Sequence, residues 1–177
     1  MKRQIAIGFF LFILLLSGCA KEQTFEEFFH QKIKEIHVGE KNYSYSLIDT
    51  KLNVVSEDDA IAVFKEQNER GEQIFIAYFK KQDNQWEWKH TRGSEWDTPV
   101  KWSAMHQPPY IYSGPISDNS ITEVFVGKEP GIIMEVENDK RFWYAISPIQ
   151  DNEVFYIRED GTREKIEEVE HEKNINN

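Results

Sequence analysis

One cysteine, five histidines, five tryptophans and a run of three acids are the residues of this chain with the most chemistry to offer. Cys19 has no second cysteine to pair with, so no disulfide can form within the chain. The histidines are scattered and make neither an HxxxH nor an HExxH pair. His30 and His37 stand about 10 Å apart on a helix, too far to share one ion. Ser117-Asp118-Asn119 matches the SDN element of serine β-lactamases and penicillin-binding proteins, but the SxxK and KTG partners that make such a site work are missing, and the triplet reads as a polar turn. Glu57-Asp58-Asp59 has the composition of a cation site, yet three acids at the positive end of a helix serve first as dipole partners. There is no GxSxG, no Walker loop and no GxGxxG. No catalytic set, no metal set and no cofactor are expected.

The aromatic content offers a different chemistry. Trp86, Trp88, Trp96, Trp102, Tyr110, Tyr112 and Trp143 are dense for a chain with 29% charged residues. Exposed indole and phenol faces stack on sugar rings or grip an extended peptide. Trp96, Trp102 and Tyr110 are the candidates for that role, because they fall in residues 92–115, where Gly, Ser and Pro break any simple period. The competing reading is a plain core, and it is favoured for all four of these tryptophans, more for Trp86 and Trp88, which alternate along a strand, than for Trp96 and Trp102. Residues 92–115 are expected to form an ordered surface loop with at least one indole partly exposed.

These residues must be positioned by the elements around them. Thr24 and Glu27 form a capping-box pattern, and Phe25, Phe28, Phe29, Ile33 and Ile36 recur at helical steps, which predicts a helix ending near Gly39. Its polar face carries Glu26 and Glu35 beside Lys32 and Lys34, so it reads as a helix packed on a core rather than on a membrane. Tyr43, Tyr45 and Leu47 alternate as a strand does. A second helix is expected from Ser56 to Arg70, capped by Ser56, with Ile61, Val63 and Phe64 as its apolar side and Gly71 as its stop. Residues 74–79 and 86–90 read as a hairpin. Residues 121–126, 132–136, 142–147 and 154–158 read as short strands divided by turns, and residues 164–171 as a last strand or a frayed helix.

The chain begins MKRQIAIGFFLFILLLSGCAKEQ. Lys2 and Arg3 make a positive start, residues 5–16 an apolar run, and Ser17 and Gly18 a small-residue approach to Cys19. A helix of that run would be roughly 18 Å long, short of the ~30 Å hydrocarbon core, so it is read as a secretory segment. Leu16-Ser17-Gly18-Cys19 resembles the lipobox of bacterial lipoproteins. Together with GPISDNSITEVFVGKEPGIIMEVENDKRFWYAISP, it resembles small lipoproteins of Bacillus and related Gram-positive bacteria. The resemblance covers the leader and about the last third of the chain. It implies cleavage after Gly18, a diacylglyceryl group on Cys19, and attachment to the extracytoplasmic face of the cell membrane. No activity comes with it, and Cys19 is the only residue given a role by it.

The division expected is therefore a signal peptide over 1–18, an anchor and short tether over 19–23, an α+β part over 24–115, a β-rich part over 116–171, and a disordered tail over 172–177. The fold class expected is α+β: two N-terminal helices with a small antiparallel sheet, followed by a β-rich meander or small sandwich. The formal charge of −10 falls to −12 once Lys2 and Arg3 are removed, which argues against nucleic acid as a partner. The function expected is a non-enzymatic interaction module of the cell envelope, with the membrane reached through Cys19 and another envelope protein as partner. The alternative is a binding module for cell-wall glycan or peptide built on Trp96, Trp102 and Tyr110.

Overall fold

A run that is apolar at every position must be buried on both faces, and three such runs, residues 60–64, 74–79 and 142–146, organise this protein. The computed structural model describes residues 23–96, 101–137 and 139–168. In chain order these form α1 (Phe25–Ile36), β1 (Ser44–Leu52), β2 (Asp59–Asn68), β3 (Gly71–Gln82), β4 (Gln85–Glu95), β5 (Ser103–Ala104), β6 (Tyr110–Ile116), β7 (Ile121–Val126), β8 (Glu129–Pro130), β9 (Ile132–Glu137), β10 (Lys140–Ser147), β11 (Val154–Arg158) and β12 (Arg163–Ile166). The strands make three antiparallel sheets, ordered β1-β2-β3-β4, β5-β6-β10-β9 and β12-β11-β7-β8. The expectation of an α+β fold with two N-terminal helices is thereby corrected: among the described residues the protein is β-rich, with a single short helix. The leader, Cys19 and the tail at 172–177 lie outside the described residues.

Alternation along each strand assigns its side chains to layers. On β2, Ala60, Ala62 and Phe64 face α1, together with Ala77 and Phe79 of β3. Ile61 and Val63 face the other way, onto Ile111 of β6 and Phe142 and Tyr144 of β10. The intervening β10 residues, Trp143 and Ala145, point to the third sheet and meet Val124, Val126, Val154 and Tyr156. The result is four layers, helix on sheet on sheet on sheet, with three cores between them. The first two sheets are covered on both sides.

This arrangement explains why the second helix is absent. Residues 60–64 form an unbroken apolar run, which a buried helix and a two-faced strand produce equally well. Their pairing with β1 and β3, in register from Asp59 opposite Lys80 to Asn68 opposite Gly71, resolves the ambiguity in favour of the strand. The β-branched Ile61 and Val63 suit it. The described parts of residues 92–115 are likewise more regular than expected. β4 runs on to Glu95, and β6 carries Gly114 and Pro115 inside a ladder with β10. The boundary drawn between residues 115 and 116 falls inside β6, and β6 pairs with β10 across it.

The glycines that looked like breakers are holes for neighbours. A Cβ on Gly93 would stand 2.3 Å from the ring of Phe75 on the facing strand, and one on Gly114 would stand 2.5 Å from the Lys101 carbonyl. At Pro115, β6 has β10 on one side only, because β5 reaches no further than Ser113, so a missing N–H is tolerated there.

α1 forms as its sequence dictates. Thr24 Oγ1 accepts from the Glu27 N–H at 3.2 Å, and Glu27 accepts from the Thr24 N–H at 3.0 Å. Phe25, Phe29 and Ile33 are its buried stripe, while Phe28 lies half-buried at the rim and Ile36 is exposed. Phe29 meets the rings of Phe64 at 5.2 Å, Trp88 at 6.1 Å and Phe79 at 6.2 Å. Phe29→Ala is expected to cost about 3–4 kcal/mol through lost burial and the cavity left behind, read as a fall in the urea midpoint. Ile36→Ala should move that midpoint little.

Candidate functional site

The registers bring five chain segments to one end of the molecule. β1 ends at Leu52 and β2 begins at Asp59 there, beside the β3–β4 turn. α1 starts at the same end, since Phe25 packs on Phe79 and Trp86, whereas His37 beyond its last turn stacks on Tyr43 at the other. β6 begins and β10 ends there too, with Tyr110 opposite Ser147. Loops 53–58, 105–109 and 148–153 therefore stand side by side at the end where the chain enters α1.

Between these loops lies a cleft of about 580 Å³, lined by Val54, Val55, Pro108, Pro109, Tyr110, Ile146, Ser147 and Pro148. Its lining holds two hydroxyls and no acid, base or thiol. Such a surface takes an apolar group by burial, with two hydroxyls to orient it. Around it, Leu52, Val55 and Ile149 are exposed at 55%, 56% and 60%.

The loops that carry these side chains are tightly held. Asp59 is fully buried, and its carboxylate accepts from the N–H groups of Val54 at 2.7 Å, Val55 at 3.2 Å and Ser56 at 2.8 Å, and from the Ser56 hydroxyl at 3.0 Å. The Tyr78 hydroxyl donates to it at 3.2 Å, and burial, aided by the Asp59 charge, pushes that phenol up to about 12, so it stays a donor. The third acid of the run 57–59 is thus neither a cation ligand nor a dipole partner but the clamp of the β1–β2 loop. On the facing loop, Ser147 Oγ accepts from the Ile149 N–H at 3.1 Å and from Asn152 Nδ2 at 2.7 Å. Tyr112 accepts from the Asn152 N–H at 3.0 Å. Apolar side chains are thus held in water on fixed loops beside the cleft.

The residues singled out for ligand binding do not converge. Trp96 is 9% exposed, in the core between the first and second sheets, with Lys140 Nζ 5.0 Å from its ring. Trp102 is 8% exposed, in the core between the second and third sheets, where it donates to the Ile166 carbonyl at 2.8 Å and meets Tyr112 at 5.2 Å. The expectation of a partly exposed indole is corrected on this point: both are buried, because an indole beside a sheet edge removes more apolar surface from water by folding inward, and Trp102 keeps only its edge on a groove of about 800 Å³ beside Lys101, Asp151 and Glu168. Of the three, Tyr110 alone lines the cleft. Val54, Val55 and the Pro108-Pro109 pair were passed over in the sequence, and only the clustering of prolines pointed toward them.

Elsewhere the candidate chemistry resolves into structure. Asp118 accepts from the Ser120 N–H at 2.9 Å and hydroxyl at 2.7 Å and pairs with Arg158; hydrogen bonds from Arg158 and Ser120 hold its carboxyl down at about 2. It closes the turn before β7, as the polar-turn reading has it. His30 bonds the Tyr45 hydroxyl at 3.0 Å. Among the described residues no three of His, Cys, Asp and Glu converge on a metal position, and no helix is long and apolar enough to cross a membrane. Comparisons with protein-family models, curated proteins and solved structures found no match.

Proposed function

We propose that the chain is an extracytoplasmic lipoprotein, held on the outer face of the cell membrane by a diacylglyceryl group on Cys19, whose β-rich body engages another envelope protein. The observation that carries this reading is the segment from Lys2 to Cys19: a basic start, an apolar run too short to span, two small residues and the chain's one cysteine. Two acyl chains supply the firm anchoring that one alone does not. The largely apolar lining of the cleft, six apolar residues with the hydroxyls of Tyr110 and Ser147, supports a binding role. The alternative, a wall-polymer module, loses Trp96 and Trp102 to the core and keeps Tyr110.

Cys19→Ser is expected to abolish palmitate labelling in growing cells and to shift the protein into the medium or leave it as an uncleaved precursor. Unchanged labelling and membrane recovery would overturn the anchor. Crosslinking of the native chain in intact cells, followed by identification of the captured protein, tests the partner. Recovery with purified wall polymer and no protein would favour the alternative.

A further inference from the structure

The position of α1 decides which way an anchored body faces. Cys19 and Gln23 are four peptide steps apart, a span of at most about 14 Å. The body is far longer: β3 alone has 12 residues, roughly 40 Å of extended chain. The end at which α1 begins is therefore the end the tether holds near the bilayer, and it is the end that carries the cleft. Exposed apolar side chains occur at both ends, Val55 and Ile149 at this one, Ile36 and Val38 at the other. Tether length chooses between them.

We propose that, with Cys19 in the bilayer, the loop end of the body rests on the membrane surface, so that Val55, Ile149 and the mouth of the cleft meet the lipid headgroups. The opposite end, with Val38 and the β2–β3 turn, faces outward. This rests on the reading of Cys19 as the lipid-bearing residue. Charge does not draw the loop end to an anionic bilayer, because Lys51, Lys80 and Lys81 stand there against Glu57, Asp58, Asp83 and Asp151. The contact is apolar, of the kind that survives salt, and the anchor supplies the affinity. The clamps on Asp59 and Ser147 keep Val55 and Ile149 presented rather than folded away.

The test uses the lipid-attached mature chain in vesicles containing a nitroxide-labelled lipid, with Val55, Ile149 or Val38 replaced in turn by an encoded fluorescent amino acid. Quenching at positions 55 and 149 is expected to exceed that at 38 at least threefold, and to persist in high salt. Equal quenching at all three positions, stronger quenching at 38, or none at any would overturn the proposal. So would a reporter at 55 or 149 that ignores the lipid and responds to added wall polymer or peptide, which would make the cleft a ligand site turned away from the bilayer. The mass of the Cys19 peptide is read on the same sample. If it shows no lipid, the anchor reading fails separately, and the same chain coupled through the Cys19 thiol to a maleimide lipid gives the orientation by the same quenching.

Discussion

Asp59→Ala is expected to lower the unfolding free energy of the unlipidated body by about 3–5 kcal/mol, since a hydrogen bond to a charged group is worth about 1.5–3 kcal/mol and several are lost together. Asp59 has no exposed surface, and its carboxylate satisfies three backbone N–H groups and two hydroxyls. Alanine would leave the donors of Val54, Val55 and Ser56 without their partner at the point where β1 turns into β2. Asp59→Asn keeps the shape and one acceptor oxygen, so an intermediate loss is expected. Asp58→Ala, at an exposed neighbour in the same acidic run, should change stability by no more than about 0.5 kcal/mol. Urea denaturation of the three variants checks this order. Equal effects at 58 and 59 would mean that the run acts only through its summed charge. In the Asp59→Ala chain loop 53–58 should also exchange its amide hydrogens fast, removing the Val54–Val55 wall of the cleft.

Trp143→Ala is expected to cost about 3–5 kcal/mol, the range for removing a buried aromatic without full collapse of its site. Trp143 is wholly buried between the second and third sheets, and its indole N–H donates to the Tyr156 hydroxyl at 3.2 Å. Collapse is limited because both walls are sheets. Gly114 and Gly131 are the space it occupies: a Cβ on Gly114 would stand 3.1 Å from its indole nitrogen, and one on Gly131 would stand 3.4 Å from its ring. Gly114→Ala should destabilise by about 1–3 kcal/mol, since the added methyl must also displace the Lys101 carbonyl. Trp143→Phe should fall between wild type and Trp143→Ala, having kept most of the area and lost the hydrogen bond. Thermal unfolding of the body reads all three. A Gly114→Ala variant as stable as wild type would show that β5 and β6 are not held as closely as the ladder implies.

How far sequence reasoning reached depended on whether each element's cause was local. α1 was legible because Thr24 and Glu27 cap each other three residues apart and the buried stripe repeats within one turn. The β3–β4 hairpin was legible because Asp83 and Asn84, both at positive φ, mark a tight turn between two apolar runs. The strands at 121–126, 132–137, 140–147 and 154–158 were legible for the same reason, short alternations bounded by turn residues. The tryptophans show the other limit. Composition declared them valuable, but only the packing of the sheets around them decided that Trp96 and Trp102 face inward and Tyr110 lines the cleft.

By itself, then, the amino-acid sequence determined the capped helix, the turns and the apolar runs, because each of these is set by neighbours within a few residues. Tertiary structure decided whether residues 59–68 became helix or strand, since the backbone partners that settle it, on β1 and β3, come from outside the run. It decided that Gly93, Gly114 and Pro115 sit within ladders, since the reason for each lies on another strand. It also decided that the start of α1 and the loops at 53–58, 105–109 and 148–153 share one end, because antiparallel register carries position from strand to strand within each sheet and the packing of one sheet face on the other aligns the two. The cleft belongs to this last class: its residues are up to about a hundred positions apart in the chain, and nothing local marks them as neighbours.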